Sequence, residues 1–295
     1  MIKDYKIHQV SEYINWIYFF HARGFAPKFS SVVYVHNCES CLASWFSSFP
    51  EDERNKAREA ANLLKDAKSM ICVLDQKFHT HAICKLFCAN SKDDDIIIED
   101  VVFPMLRQQT NHSNEKETYL CLSDYIRPAS TNIKDKIGVF ATTVDRQMEH
   151  FFDNDDYKKM LCQTLCDRLA EATAEKMHEY VRKEMWGYAD KEKLSPKELF
   201  EEKYQGIRPA VGYPSLPDQS VNFIIDQLID FSKIGITLTE NGMMIPHASV
   251  SGLMFSHPKA EYFSVGTIDE EQLADYANRR GITIEKAKKF LTANL

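Results

Sequence analysis

The chain has 295 residues, 44% of them hydrophobic and 27% charged, with a formal net charge of −7. That composition belongs to a globular protein with a substantial core, and the acidic balance excludes generic binding to nucleic acid or anionic membrane, which want a basic surface. The start of the sequence has no signal-peptide pattern, its apolar run falls far short of the roughly 20 residues of a membrane span, and eight cysteines are too sparse for a disulfide scaffold. Reduced thiols and a cytoplasmic location are expected.

The first third mixes a helix with strands. "FPEDERNKAREAANLLKDAKSM" opens after Pro50 with acids and closes on lysine-bearing turns, which suits the helix dipole. "AICKLFCANSKDDDIIIEDVVF" reads as a hairpin of two strands around a polar turn, and "YLCL" and "KIGVFATTV" as two further strands. From Asp153 to about Trp186 a long helix is predicted, with Leu161, Leu165, Leu169, Thr173, Met177 and Tyr180 in one stripe. A shorter helix, "VNFIIDQLIDFSKI", follows a proline-rich loop. "MMIPHASVSGLMFS" and "EYFSVGTI" read as strands flanking a tight "HPKA" connection, and two short helices separated by Gly281 come last. Strands come in blocks and there is no low-complexity linker, so a single α+β domain over 1–295 is expected.

The compact nucleotide and hydrolase motifs, G-x-G-x-x-G after a strand, the P-loop, H-E-x-x-H and G-x-S-x-G, are absent from the sequence. Cys38 and Cys41 form a C-x-x-C, and with His79, His81, Cys84 and Cys88 they offer enough ligands for zinc. Against this, "HTHAICKLFC" runs into a strand, where alternation places Cys84 and Cys88 on one face as buried thiols. Cys162 and Cys166 lie a helical turn apart beside the leucine stripe and read as core. The acidic runs at 93–95 and 153–156 lack the spacing of a calcium loop and read as a turn and a helix start. Met243 and Met244 read as packing.

Helical periodicity sets Glu171 opposite Leu169 and Tyr180, near Asp167, Glu175 and His178, on a face expected to meet solvent. Asp124 closes the "YLCL" strand, where a carboxylate either faces a ligand or opens a turn. "GIRPAVGYPSLPDQS" is the most informative stretch. Pro209, Pro214 and Pro217 exclude both a helix and a central strand. A guanidinium aimed by so stiff a backbone suits a carboxylate or phosphate, which marks Arg208. Gly212 permits close backbone approach, and Tyr213 offers an aromatic face with a hydroxyl tip. A small zwitterionic or cationic ligand fits that set, and so does a surface loop with one ion pair.

"YQGIRPAVGYPSLPDQS" together with "LTENGMMIPHASVSGLMFSHPKAEYFSVGTI" closely resembles the activation domain of cobalamin-dependent methionine synthase. "DRLAEATAEKMHEYVRKEMWGY" does so as well, and more loosely "YINWIYFF", "LRQQT" and "CLSDYIRP" with "IGVFATT". The likeness runs in order from about Tyr13 to Leu295. It implies a C-shaped α+β structure with a bent antiparallel sheet that binds S-adenosylmethionine. It also implies a part in reductive methylation, in which flavodoxin or another reductase supplies an electron to cob(II)alamin and S-adenosylmethionine supplies the methyl of methylcobalamin. The family's Arg-x-x-x-Gly-Tyr motif is present as Arg208, Gly212 and Tyr213. By resemblance Arg208 holds the methionyl carboxylate, the backbone around Ala210 meets the adenosyl part, and Asp124 and Glu171 serve the amino group and ribose.

Two departures stand out. Val211 replaces a proline common in the family's loop, and "YVHNCESCLASWFSSF" looks unlike the family. The sequence also has no Asp-x-His-x-x-Gly segment to ligate cobalt and no room for homocysteine or folate modules. Cobalamin is therefore expected on a separate methionine synthase chain, and this chain as a methyltransferase component that is incomplete alone. A sensor of S-adenosylmethionine, or a reactivase for another corrinoid methyltransferase, would share the same ligand contacts.

Overall fold

The structure, a computed structural model, describes residues 1–109 and 119–295; Thr110, the last residue of "LRQQT", lies outside the described residues. Strand β1 (Ile2–Lys6) leads into α1 (Ile7–Ser11) and α2 (Trp16–Ala22), and then come α3 (Glu39–Ser47) and α4 (Arg54–Asp75). The strands β2 (His79–Lys92), β3 (Asp95–Ile98), β4 (Val101–Pro104) and β5 (Asp135–Val144) precede the long helix α5 (Asp156–Tyr180). After α6 (Pro196–Phe200) and α7 (Asn222–Ile229) lie the short β6 (Thr237–Leu238) and β7 (Met244–Ile245). Strand β8 (Ser249–Met254) and helices α8 (Glu270–Arg280) and α9 (Ile284–Phe290) complete the order.

The main sheet runs β4-β3-β2-β5-β8 and every pairing in it is antiparallel. The fourteen-residue β2 shares one edge between β1, against its first residues, and β3, against its last. Its other edge pairs with β5 from Thr80↔Val144 to Ala89↔Asp135. The sheet curls into a half-barrel, giving the α+β class with a bent antiparallel sheet.

Both faces of the central strands are buried, because alternate residues enter different cores. Ala82, Cys84, Phe140, Val250 and Met254 join α4 and α5 on one side. Ile83, Phe87, Val139, Leu253 and Phe255 meet α7 on the other. Helix α4 turns Ala57, Ala60, Leu64, Ala67, Ile71 and Leu74 inward at three- and four-residue steps. Helix α5 starts where the Asp155 carboxylate accepts from the Lys158 N–H at 3.1 Å. It is shorter than its periodicity suggested, since it gives way at Val181 to a π-helical turn through Met185.

Several expectations need correction. The "hairpin" is a three-stranded meander, since "DVVF" forms β4 beside β3. "YLCL" is not a strand: the Leu120 N–H donates to the Gln108 side chain and the Cys121 N–H to Asp124 Oδ2, which leaves a short 3-10 turn at Leu122–Tyr125. "EYFSVGTI" is irregular, because its N–H groups go to separate places, among them Val265 to the Pro214 carbonyl and Ile268 to that of Asn294. Cys84 is buried, with its thiol pushed up to about 12 by burial, yet Cys88 on the same face is exposed. Gly281, by contrast, caps α8 in the left-handed region as expected.

The free edge of β8 carries the proline loop. Ile207 and Phe255 exchange both backbone hydrogen bonds, the Leu253 N–H donates to the Pro209 carbonyl at 3.1 Å, and the Val211 N–H to that of Ser251 at 2.9 Å. A Cβ on Gly252 would stand 2.2 Å from the Pro209 oxygen, and one on Gly206 2.1 Å from the Phe255 oxygen. Only glycine lets the two backbones meet here. Gly252→Ala is therefore expected to lower stability by about 1–3 kcal/mol, read as a lower urea midpoint. An unchanged midpoint would mean the contact carries no constraint.

Candidate functional site

A cavity of about 550 Å³ lies between α5, the proline loop and the segments around Tyr13, Tyr204 and Tyr262. Its floor comes from α5. Arg168, Glu171 and Glu175 follow one another at three- and four-residue steps and so share a face. That face was expected to meet solvent, but His178 and Glu175 are buried and Glu171 is half-buried. The helix is covered on both sides, by the sheet along its leucine stripe and by the cavity walls along its polar stripe. Thr142 and Thr173 tie it to the sheet, donating to the Ala170 carbonyl at 3.0 Å and to the Thr80 hydroxyl at 2.7 Å.

Arg208 faces this stripe from the proline loop. Its Nη2 donates to Glu175 Oε2 at 3.1 Å, with both side chains about nine-tenths buried (10% and 11% exposed). Its N–H donates to the Tyr262 hydroxyl at 2.9 Å, and its guanidinium lies 5.6 Å from the Phe140 ring centroid. Burial alone would lower the Arg208 pKa, but the charges of Glu175, Tyr262, Glu171 and Tyr204 together outweigh it and the pKa is raised. Among the described residues one donor and one acceptor of this buried pair, Arg208 Nε and Glu175 Oε1, have no partner. At the mouth, the Tyr213 hydroxyl donates to Glu171 Oε1 at 2.5 Å, and burial followed by the Glu171 charge raises its pKa. Glu202 joins the lining with its carboxyl pushed up by burial and then by Glu175.

Behind the cavity lies a second polar layer. Arg182 is fully buried and donates twice to Glu192, at 2.9 and 2.6 Å, while its guanidinium sits 4.3 Å over the Tyr204 ring. His178 touches the Tyr204 ring edge-on at 5.0 Å, and neither ring nitrogen has a partner among the described residues. Burial, then Arg182 and Arg208, hold its pKa well below the ordinary 6.5.

Of the residues singled out in the sequence, the structure brings Glu171, Arg208, Ala210 and Tyr213 to the cavity wall, while Gly212 and Asp124 are not among the lining. Among the described residues a Cβ on Gly212 would meet no protein atom within 4 Å. Its φ of +87° is what requires glycine, in the turn where its N–H donates to the Leu216 carbonyl. The Asp124 carboxylate is occupied: Arg107 forks onto its two oxygens at 2.8 and 2.7 Å, and it also accepts from the Cys121 N–H. Glu175, Glu202, Tyr204 and Tyr262 were missed as site residues. The four-residue step from Glu171 to Glu175 was the available signal for the first. Tyr204 and Tyr262, whose hydroxyls stand 3.2 Å apart, meet only through the tertiary fold.

A curled antiparallel sheet that pins one arginine loop against the carboxylates of a single helix defines an α+β domain with a cavity of small-molecule size. Residues 6–281 match the family described as "Vitamin B12 dependent methionine synthase, activation domain", and the chain belongs to that family. It is also similar to a solved structure of the MetH reactivation domain bound to AdoHcy. That likeness has a TM-score of 0.85 and 36% identity, covering 100% of this chain and 90% of the other.

The buried His178 gives a pH test with a definite sign. The unfolded chain takes up a proton on this histidine near 6.5, and the folded chain only well below that. Its contribution to stability is thus present above 6.5 and declines as pH falls, by up to about 1.4 kcal/mol per pH unit. Urea unfolding between pH 7.5 and 5 should show His178→Gln with a flatter dependence than the parent by up to one proton. Parallel curves would mean that His178 protonates equally in both states.

Proposed function

We propose that the cavity binds S-adenosylmethionine and that the domain presents it to cobalamin on a partner methionine synthase chain, with flavodoxin or another reductase as electron donor. The observation that carries this reading is the opposition of Arg208 to Glu171 and Glu175 across one cavity, in a member of the activation-domain family. The volume falls within the roughly 300–1,000 Å³ of small-molecule sites. The lining acids Glu171, Glu175 and Glu202 against Arg168 and Arg208 leave a formal charge of −1, three negative and two positive. A ligand with a carboxylate, an ammonium and a sulfonium is its complement. The unpartnered Arg208 Nε and Glu175 Oε1 are buried polar atoms that such a ligand can satisfy.

When bound, S-adenosylmethionine supplies a methyl group activated on a sulfonium, and the partner's cobalamin supplies its acceptor. In this reading residues 1–295 act as one activation domain in the cytoplasm. Among the described residues no helix is long and apolar enough to cross a membrane. Arg208 takes the methionyl carboxylate, Glu171 the amino group or ribose, and the backbone around Ala210 the adenosyl part. Gly212 and Tyr213 form the turn that closes over them. Asp124 stands outside and joins the ligand only if its pair with Arg107 opens. No side chain acts as a nucleophile; the protein contributes proximity and orientation.

Truncating Arg208 to alanine would strand the Glu175 charge, which mixes a stability loss into any binding result. Arg208→Lys keeps the charge and loses the fork, and calorimetry should show S-adenosylmethionine bound roughly ten- to a hundredfold more weakly. Glu171→Gln should weaken binding by roughly tenfold while leaving the melting temperature of the ligand-free protein unchanged. Parent-like affinity in both variants would remove the two residues from the site.

The partner half of the proposal has its own readout. With a cobalamin-loaded partner, a reductant and S-adenosylmethionine carrying a labelled methyl, label should reach cobalt only when this chain is present. Absorbance titration should show that the chain alone does not hold cobalamin tightly. Ligand binding without transfer to any partner would favour a sensor.

A further inference from the structure

We infer that His36, Cys38 and Cys41 form a zinc-binding site independent of the ligand cavity. One donor atom from each residue lies within 4.8 Å of the other two. The local backbone gathers them. The Cys38 N–H donates to the His36 carbonyl at 2.9 Å, which folds the histidine back over the start of α3, and the Leu42 N–H donates to the Cys38 carbonyl at 3.0 Å. Cys38 caps the helix and Cys41 follows one turn later, so their thiols and the imidazole converge on one point.

The chemistry of this donor set selects its ligand. Thiolate and imidazole are soft or borderline donors that favour zinc over magnesium or calcium. With bonds of roughly 2.0–2.3 Å, tetrahedral zinc holds its ligands roughly 3.5–3.8 Å apart. The three donors need to close by at most about 1.3 Å to reach that spacing. All three residues are half-buried or exposed, so an ion has a path in, and both cysteines are free thiols. Three protein ligands leave the fourth tetrahedral position to water or to a donor from a bound partner.

The remaining sequence candidates take no part. His81 is held between Asp4 at 2.7 Å and Asp145 at 3.0 Å, and Cys84 is fully buried in the sheet. The ion has an evident structural use, because α3 contains no buried residue that would fix its first turn. Zinc would staple the incoming chain at His36 to that turn. A dithiol redox pair would explain the two cysteines but has no need of an imidazole at ligand distance.

The test uses the full chain, purified reduced, loaded with zinc and desalted, with metal measured by mass spectrometry. About one zinc per chain should be retained. Cobalt loading should give the near-ultraviolet thiolate-to-metal absorption and visible bands of tetrahedral coordination. Cys38→Ser combined with Cys41→Ser should abolish both signals, and His36→Ala should weaken retention at least tenfold. Replacement of the exposed Cys72 by serine should leave retention unchanged, and circular dichroism confirms that each variant is folded. Retention below about a tenth of an ion per chain in the parent would overturn the site. Equal retention in folded parent and double variant would do so as well, as would a Cys38–Cys41 disulfide that forms equally fast with and without zinc.

Discussion

Four backbone hydrogen bonds between residues 207–211 and the edge of β8 hold everything the cavity can do. They give the proline loop the position of a seventh strand, beside β8, without the regular conformation of one. Pro209 has no N–H to offer but contributes its carbonyl, and the residues on either side supply the donors. The contact is close because Gly206 and Gly252 carry no side chain. Arg208 therefore points at α5 from a support fixed chiefly by backbone pairing to the curled sheet, with the Tyr262 hydroxyl accepting its own N–H.

The electrostatics follow from that placement. A guanidinium and a carboxylate nine-tenths removed from water are expensive to desolvate, and a single hydrogen bond at 3.1 Å satisfies only part of their capacity. Arg182 shows the contrast one layer deeper, where Glu192 takes two of its donors and Tyr204 covers its face. Among the described residues each arginine leaves one buried donor unpartnered, Nη1 on Arg182 and Nε on Arg208, but the inner one is held by a fork and a covering ring while the outer one has a single side-chain bond. His178 is kept neutral by its burial first and then by both arginines, so the layer adds no further positive charge behind the cavity.

The helices were legible because their signals are local: acids after Pro50, an aspartate cap before α5, a glycine after α8. The central strands were legible because both faces are buried and read as long apolar runs. "YLCL" and "EYFSVGTI" have the composition of strands, but side chains and distant carbonyls claim their N–H groups, which composition does not record. Glu175 and His178 were misplaced for a related reason: a polar stripe on a helix reads as wet, whereas here it faces a second wall of protein. Arg208, Tyr213 and Glu171 were singled out through loop stiffness and family likeness, and they line one cavity. The left-handed turn that Gly212 makes, and the backbone approaches at Gly206 and Gly252, were not read from the sequence. The histidine two residues before Cys38 was in plain view, but the search for its companions went to β2 instead.

The ledge on β8 also imposes an order of assembly. Strands β2, β5 and β8 are neighbours in space yet far apart along the chain, so the sheet closes through long-range pairings, the slow kind. As the chain leaves the ribosome, α5 with its two carboxylates is complete well before Ser249–Met254 exist. Until then the loop bearing Arg208 has nothing to lie on, and Glu175 has no buried partner. A nascent chain interrupted in that interval would hold a finished helix with half a cavity, its polar stripe still open to water and to quality control.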